Sequence, residues 1–204
     1  MATRADAFFT GGCVFAYGAA QPAMLPLPHL PEFVFIGRSN AGKSSLLNAL
    51  TGQSRLAHVS STPGRTQQLN FFRLQDRCYL VDVPGYGYAK APKNKVAGWQ
   101  GTLKHYLRTR TVLKRCFVLI DARHGIIGTD ETMLEELDRA AQLYQIVLTK
   151  SDAIAAADLP ALLVQTGVQL KRHPAAFEDI LVTSSQTGQG ISALRSVLFG
   201  LLKN

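Results

Sequence analysis

Cysteine is sparse in this 204-residue chain: Cys13, Cys78 and Cys116 are odd in number and none belongs to a C-x-x-C pair. That argues against a disulfide framework and suits a reducing compartment, with the three thiols as small packing residues. Long apolar runs are missing too. No stretch approaches the roughly 18 uninterrupted apolar residues of a membrane-crossing helix. Ala7 to Ala20 is apolar, but Gly11, Gly12 and Gly18 interrupt it, and Arg4 is a single cation with Asp6 close by. The segment reads as a packed N-terminal extension rather than a signal peptide. The expected location is cytoplasmic, without membrane contact. Acidic residues are the third shortage. Asp and Glu number 14 against 22 Lys and Arg, a net charge of +8, and none lies between Val83 and Ile120. That window holds Lys90, Lys93, Lys95, Lys104, Arg108, Arg110, Lys114 and Arg115. A charge run is ordinarily a solvated face, but eight cations without an anion favour an anionic partner.

What is present begins with Gly37-Arg38-Ser39-Asn40-Ala41-Gly42-Lys43-Ser44, a full match to GxxxxGK[ST]. Glycines let the backbone turn so that successive N–H groups converge on a phosphate, and the following helix adds its free N-terminal amides and dipole. Lys43 supplies a charge for the β- and γ-phosphates, and the Ser44 hydroxyl can complete a Mg²⁺ shell. The flanks suit the motif. Glu32-Phe33-Val34-Phe35-Ile36 reads as a buried strand, and Ser44 to Leu50 as a helix stopped by Thr51-Gly52.

Downstream, Gln53 to Gln67 is a long loop rich in Ser, Thr, Pro and Gly, where a γ-phosphate sensor would sit. Gln68 to Leu74 and Arg77 to Val83 read as two strands of a hairpin at a sheet edge. The second ends in Asp82-Val83-Pro84-Gly85. Asp82 can hold Mg²⁺ through a water, and the Gly85 N–H is free for the γ-phosphate. Further strands are expected at 116–121, 145–150 and 180–183, and helices at 96–108, 129–142, 158–170 and 191–202. Strands alternating with helices make one α/β domain with a mostly parallel sheet.

Thr149-Lys150-Ser151-Asp152 speaks to the base. Guanine offers N1–H and its N2 amine on one edge, which a carboxylate accepts as a pair, whereas adenine turns a lone pair towards it. The Lys150 stem would lie over the purine, and Thr183-Ser184-Ser185 can offer a backbone N–H to guanine O6.

Together GRSNAGKSS, TPGRTQ, DVPGYGYA, TKSD and TSS, from about Leu30 to Leu202, closely resemble the five motifs of the EngB family (also called YihA or YsxC) of bacterial Ras-like GTPases. The resemblance implies a GTP- and GDP-binding protein acting in large ribosomal subunit assembly, with a link to division and septation. It implies one Ras-like domain over 32–204, a six-stranded sheet with one antiparallel edge strand, helices on both faces, and residues 1–31 packed on the domain. It places Gly64-Arg65-Thr66-Gln67-Gln68 against the nucleotide and makes Thr66, rather than the nearby Ser61 or Thr62, the Mg²⁺ ligand. The catalytic set is then Lys43, Thr66, Gly85 and Asn40. The protein would act as a monomer and meet ribosomal RNA through Lys90 to Arg115. Tyr86 stands where many GTPases carry a water-orienting Gln, so intrinsic hydrolysis should be slow. Asn40 has two readings: it helps to coordinate a stimulating K⁺, or it hydrogen-bonds to shape the loop.

Two other classes compete. A nucleotide-independent septation or RNA-binding module would bind partners alike with GTP, GDP or neither. A kinase or ATPase built on the same loop would accept adenine, against which Asp152 argues.

Overall fold

The computed structural model describes residues 3–57, 68–87 and 93–203. Its centre is β2 (Glu32–Gly37), buried along its whole length. A run such as Phe33-Val34-Phe35-Ile36 needs that when both faces of a parallel sheet are covered. Phe33 and Phe35 enter a core with Leu46, Leu47 and Leu50 of α2 (Lys43–Thr51) and Leu194 and Leu198 of α6 (Ile191–Leu201). Val34 and Ile36 enter the opposite core, with Leu103 and Tyr106 of α3 (Lys93–Thr109) and Leu134 and Leu137 of α4 (Gly128–Arg139). Helix α5 (Leu159–Leu170) adds Leu170 to that second core.

The other strands are β1 (Cys13–Ala19), β3 (Leu69–Leu74), β4 (Cys78–Asp82), β5 (Leu113–Asp121), β6 (Tyr144–Thr149) and β7 (Leu181–Val182), in the order β1-β3-β4-β2-β5-β6-β7. The fold is the expected α/β layer structure, with one correction. Seven strands are present among the described residues rather than six. The stretch read as a packed extension forms α1 (Arg4–Thr10) and β1, and β1 pairs antiparallel with β3. The reversed strand β3 therefore lies one place in from the edge. The glycines read as interruptions are accommodated: Gly11 and Gly12 join α1 to β1, and Gly18 pairs opposite Asn70. A register shift between Phe15 and Tyr17 sends Phe15 onto Phe72 in one core and Tyr17 onto Tyr79 in the other.

Side chains far apart in sequence tie α1 down. Asp6 closes the first turn with Thr3, and it also accepts Arg195 Nη1 and Ser192 Oγ from α6, each at 3.0 Å. Hydrogen bonds from the Thr3 backbone and from Arg195 hold its carboxyl well below the usual range. Helix α4 starts one residue before the expected 129 and ends at Arg139 rather than 142, and Asp130 accepts the Ile127 N–H at 3.0 Å.

At the start of β2, Glu32 has no exposed surface. Its carboxylate takes Arg110 Nε at 2.9 and 3.0 Å and the Tyr106 hydroxyl at 2.6 Å. Arg110 Nη1 donates to Pro26 O at 2.6 Å, tying the proline-rich lead-in to the end of α3. The three cysteines are free and buried, and burial pushes the Cys13 and Cys78 thiols up to about 12. No helix among the described residues is long and apolar enough to cross a membrane.

Candidate functional site

The phosphate-loop residues leave β2 at the carboxyl edge of the parallel strands, where open α/β sheets bind ligands. The loop holds its shape through Asn40 (φ 66°) and Gly42 (φ 91°), both in the left-handed region. Asn is among the few non-glycine residues at ease there, which favours the loop-shaping reading of Asn40. Gly42 caps α2 and receives the Leu46 N–H at 2.8 Å, so Lys43 and Ser44 occupy the first helical turn.

Asp82 closes β4, in register with Phe35 of β2 and Asn70 of β3. It is buried, and its Oδ1 has no hydrogen-bond partner among the described residues. Burial pushes its carboxyl up to about 6, against the pull of Lys43. Burial likewise lowers the Lys43 ammonium, opposed by Asp82. Lys43 Nζ donates to Gly37 O at 3.4 Å. Two groups of opposite charge thus feel one another in a poorly solvated corner, one of them with an oxygen unmet among the described residues.

The chain after Asp82 runs along the phosphate loop. Val83 N–H donates to Phe35 O at 3.2 Å, Tyr86 N–H to Gly37 O at 3.4 Å, and Ser39 N–H to Tyr86 O at 3.0 Å. A Cβ on Gly85 would lie 2.8 Å from Ser39 Cα and N, so no side chain fits there. Tyr86 is buried rather than extended over the loop, and its hydroxyl donates to Asp130 Oδ1 at 2.8 Å.

The Thr149-to-Asp152 segment is bonded directly to the phosphate loop. Thr149 Oγ1 donates to Ala41 O at 2.7 Å and Lys150 Nζ to Asn40 O at 2.6 Å. Lys150 also pairs with Asp121 at 2.8 Å, and Asp121 holds Arg123 at 2.6 Å. Ser151 N–H donates to Thr183 O at 3.2 Å, and the Ser184 hydroxyl donates to the exposed Asp152 carboxylate. Ser185 follows, half-buried.

Gly64, Arg65, Thr66 and Gln67 lie outside the described residues, as does Lys90. Gln68 sits at the foot of β3 and donates to Asn70 Oδ1 at 3.1 Å. The basic window divides. Lys104, Arg108 and Lys114 are exposed, with Lys104 in contact with Glu136 at 3.3 Å. Arg110 is withdrawn into its pair with Glu32, and the Arg115 guanidinium stacks 3.5 Å from the Phe177 ring centroid. The sequence reading missed Asp121, Arg123 and Asp130. Asp121 had a signal, since it closes a strand at the same sheet edge as Asp82 and has a cation two residues on.

The sequence profile of a family described as 50S ribosome-binding GTPase matches residues 32–150. A probable GTP-binding protein EngB from Cereibacter sphaeroides is 50% identical over 190 residues, covering 93% of this chain and 88% of that protein. The chain belongs to the EngB family of GTP-binding proteins. Its activity class, a GTP-binding GTPase, comes with that membership. The EngB protein of Roseobacter denitrificans is also 50% identical, over 95% of this chain and 89% of its own length. Among solved structures, a probable EngB protein superposes with a TM-score of 0.67 at 18% identity, over 84% of this chain and 98% of that one. Era, solved with MgGDPNP and nucleotides of 16S ribosomal RNA, gives 0.64 at 22% identity, over 86% of this chain and 57% of its own, and so shares the fold.

Proposed function

We propose that this EngB-family chain is a magnesium-dependent guanine-nucleotide switch with slow GTP hydrolysis. It acts in large ribosomal subunit assembly in the cytoplasm, as a monomer, and through that role supports cell division and septation. The observation that carries the switch reading is the oxygen of buried Asp82 that no described residue meets, within the field of Lys43 of the phosphate loop. A carboxylate in that setting is costly until a cation and its ligands meet it. The donor set fits Mg²⁺: Asp82, the Ser44 hydroxyl and Thr66 are oxygen ligands of the kind a hard cation takes. When bound, the ion neutralises charge on the β- and γ-phosphate oxygens.

The chain's own groups do the rest. Main-chain amides of the Gly37-to-Ser44 loop other than those of Ser39 and Ala41, which are bonded within the protein, cradle the phosphates, Lys43 balances their charge, and the Gly85 N–H meets the γ-phosphate. Asp152 accepts from guanine N1–H and N2, with Thr149, Lys150 and Ser151 shaping the pocket and Ser184 and Ser185 near O6. The elements from β2 onward carry these groups, with α1 and β1 completing the same sheet and core. The buried Tyr86 ring, its hydroxyl engaged by Asp130, leaves no side chain at that position to orient water, which supports slow turnover. A K⁺ ion beside Asn40 would raise that rate, and equal turnover in K⁺ and Na⁺ buffers would remove the idea.

The anionic partner is ribosomal RNA, met through the exposed cations that follow the γ-phosphate-sensing turn. Sedimentation with large-subunit precursors tests the whole reading. Association is expected in GTP and should weaken in GDP and in nucleotide-free buffer. Reversing Lys104 and Arg108 to Glu should weaken it and flatten its salt dependence, leaving GTP affinity intact. Equal association in all three buffers would contradict the switch.

A further inference from the structure

We infer that Asp130 is a positioning residue: acting through Tyr86, it pins the turn that senses the γ-phosphate. The inference rests on the reading of Gly85 as the γ-phosphate contact. Tyr86 follows that glycine in a turn at the sheet's carboxyl edge, yet it is only 7% exposed. Its hydroxyl donates to Asp130 Oδ1 at 2.8 Å. The other carboxylate oxygen of Asp130 accepts the Ile127 N–H at 3.0 Å, which anchors the acceptor in the first turn of α4. On the opposite side, the Tyr86 main chain is zipped to the phosphate loop by its bonds to Gly37 O and from Ser39 N–H. Gly85 is thereby held against Ser39 with no room for a Cβ.

The turn is gripped by its side chain at one end and its backbone at the other. A Gly85 amide held in this way is already ordered when a third phosphate arrives, so binding that phosphate carries a smaller ordering cost. Neither the Tyr86 hydroxyl nor Asp130 has to touch the nucleotide. The latch therefore bears on triphosphate against diphosphate, and leaves shared contacts alone.

The test titrates the full chain, with Mg²⁺, against GDP and against a non-hydrolysable GTP analogue. Tyr86→Phe keeps the ring and the α4 cap and removes the latch alone. It should lose roughly tenfold in affinity for the analogue, the scale of one buried hydrogen bond to a carboxylate. GDP affinity should hold. Asp130→Ala should show the same split with an added loss of stability from the α4 cap, whereas Asp130→Asn can keep the cap through its oxygen and turn its amide N–H to the Tyr86 hydroxyl oxygen, and should retain the discrimination. A Tyr86→Phe protein that binds the analogue as wild type does, or loses both nucleotides equally, would overturn the latch. A wild type that binds analogue and GDP alike would instead overturn the reading of Gly85 beneath it.

Discussion

Two charged clusters sit at opposite ends of β2, and they are solved differently. At its start, Glu32 is fully buried and meets Arg110 through paired guanidinium contacts and Tyr106 through a hydroxyl. Towards its end, Asp82 is also buried, lies within the field of Lys43, and keeps an oxygen that nothing among the described residues meets. Partners supplied by the fold make the first cluster a structural tie between α3, β2 and the proline-rich lead-in. In the proposed function, the oxygen left without a partner among the described residues makes the second a place for a ligand. Burial and charge are common to both; satisfaction separates structure from function.

The comparison can be broken at either end. Arg110→Ala leaves the Glu32 carboxylate buried without its cation, and should cost about 3–5 kcal/mol in urea unfolding. Nucleotide affinity measured well below the melting transition should survive. Lys43→Ala should do the reverse: affinity for guanine nucleotides falls about a hundredfold, or about 2.7 kcal/mol, with unfolding stability held. A Lys43→Ala protein that binds normally but unfolds easily would mean both clusters are structural. The smallest effect should be Tyr106→Phe, about 1–2 kcal/mol of stability, because Glu32 keeps Arg110 after losing the hydroxyl.

The legible parts of this molecule were those whose chemistry is local. The phosphate loop declares itself because amide convergence, the left-handed turn and the helix start all lie within eight residues, Gly37 to Ser44. Buried strands such as Phe33 to Ile36 show as continuous apolar runs. The edge strand β1 was hidden because its flanking and internal glycines read as breaks, while its pairing with β3 depends on residues at least fifty positions away. Arg110 was counted among the surface cations, since a charge tally cannot see that Glu32 receives it. The Tyr86–Asp130 and Lys150–Asp121 contacts were missed for the same reason. Each joins two strand or helix ends that only the sheet order brings together.

The most direct test compares the unfolding stability of wild type and Asp82→Asn, first in nucleotide-free buffer and then with Mg²⁺ and GDP at saturation. If the Asp82 charge is there for a ligand, the neutral isostere should be at least as stable as wild type without nucleotide. It should also gain clearly less than wild type when Mg²⁺ and GDP are added. An Asp82→Asn protein that is weakened in nucleotide-free buffer and rescued as fully as wild type by the ligand would contradict the account.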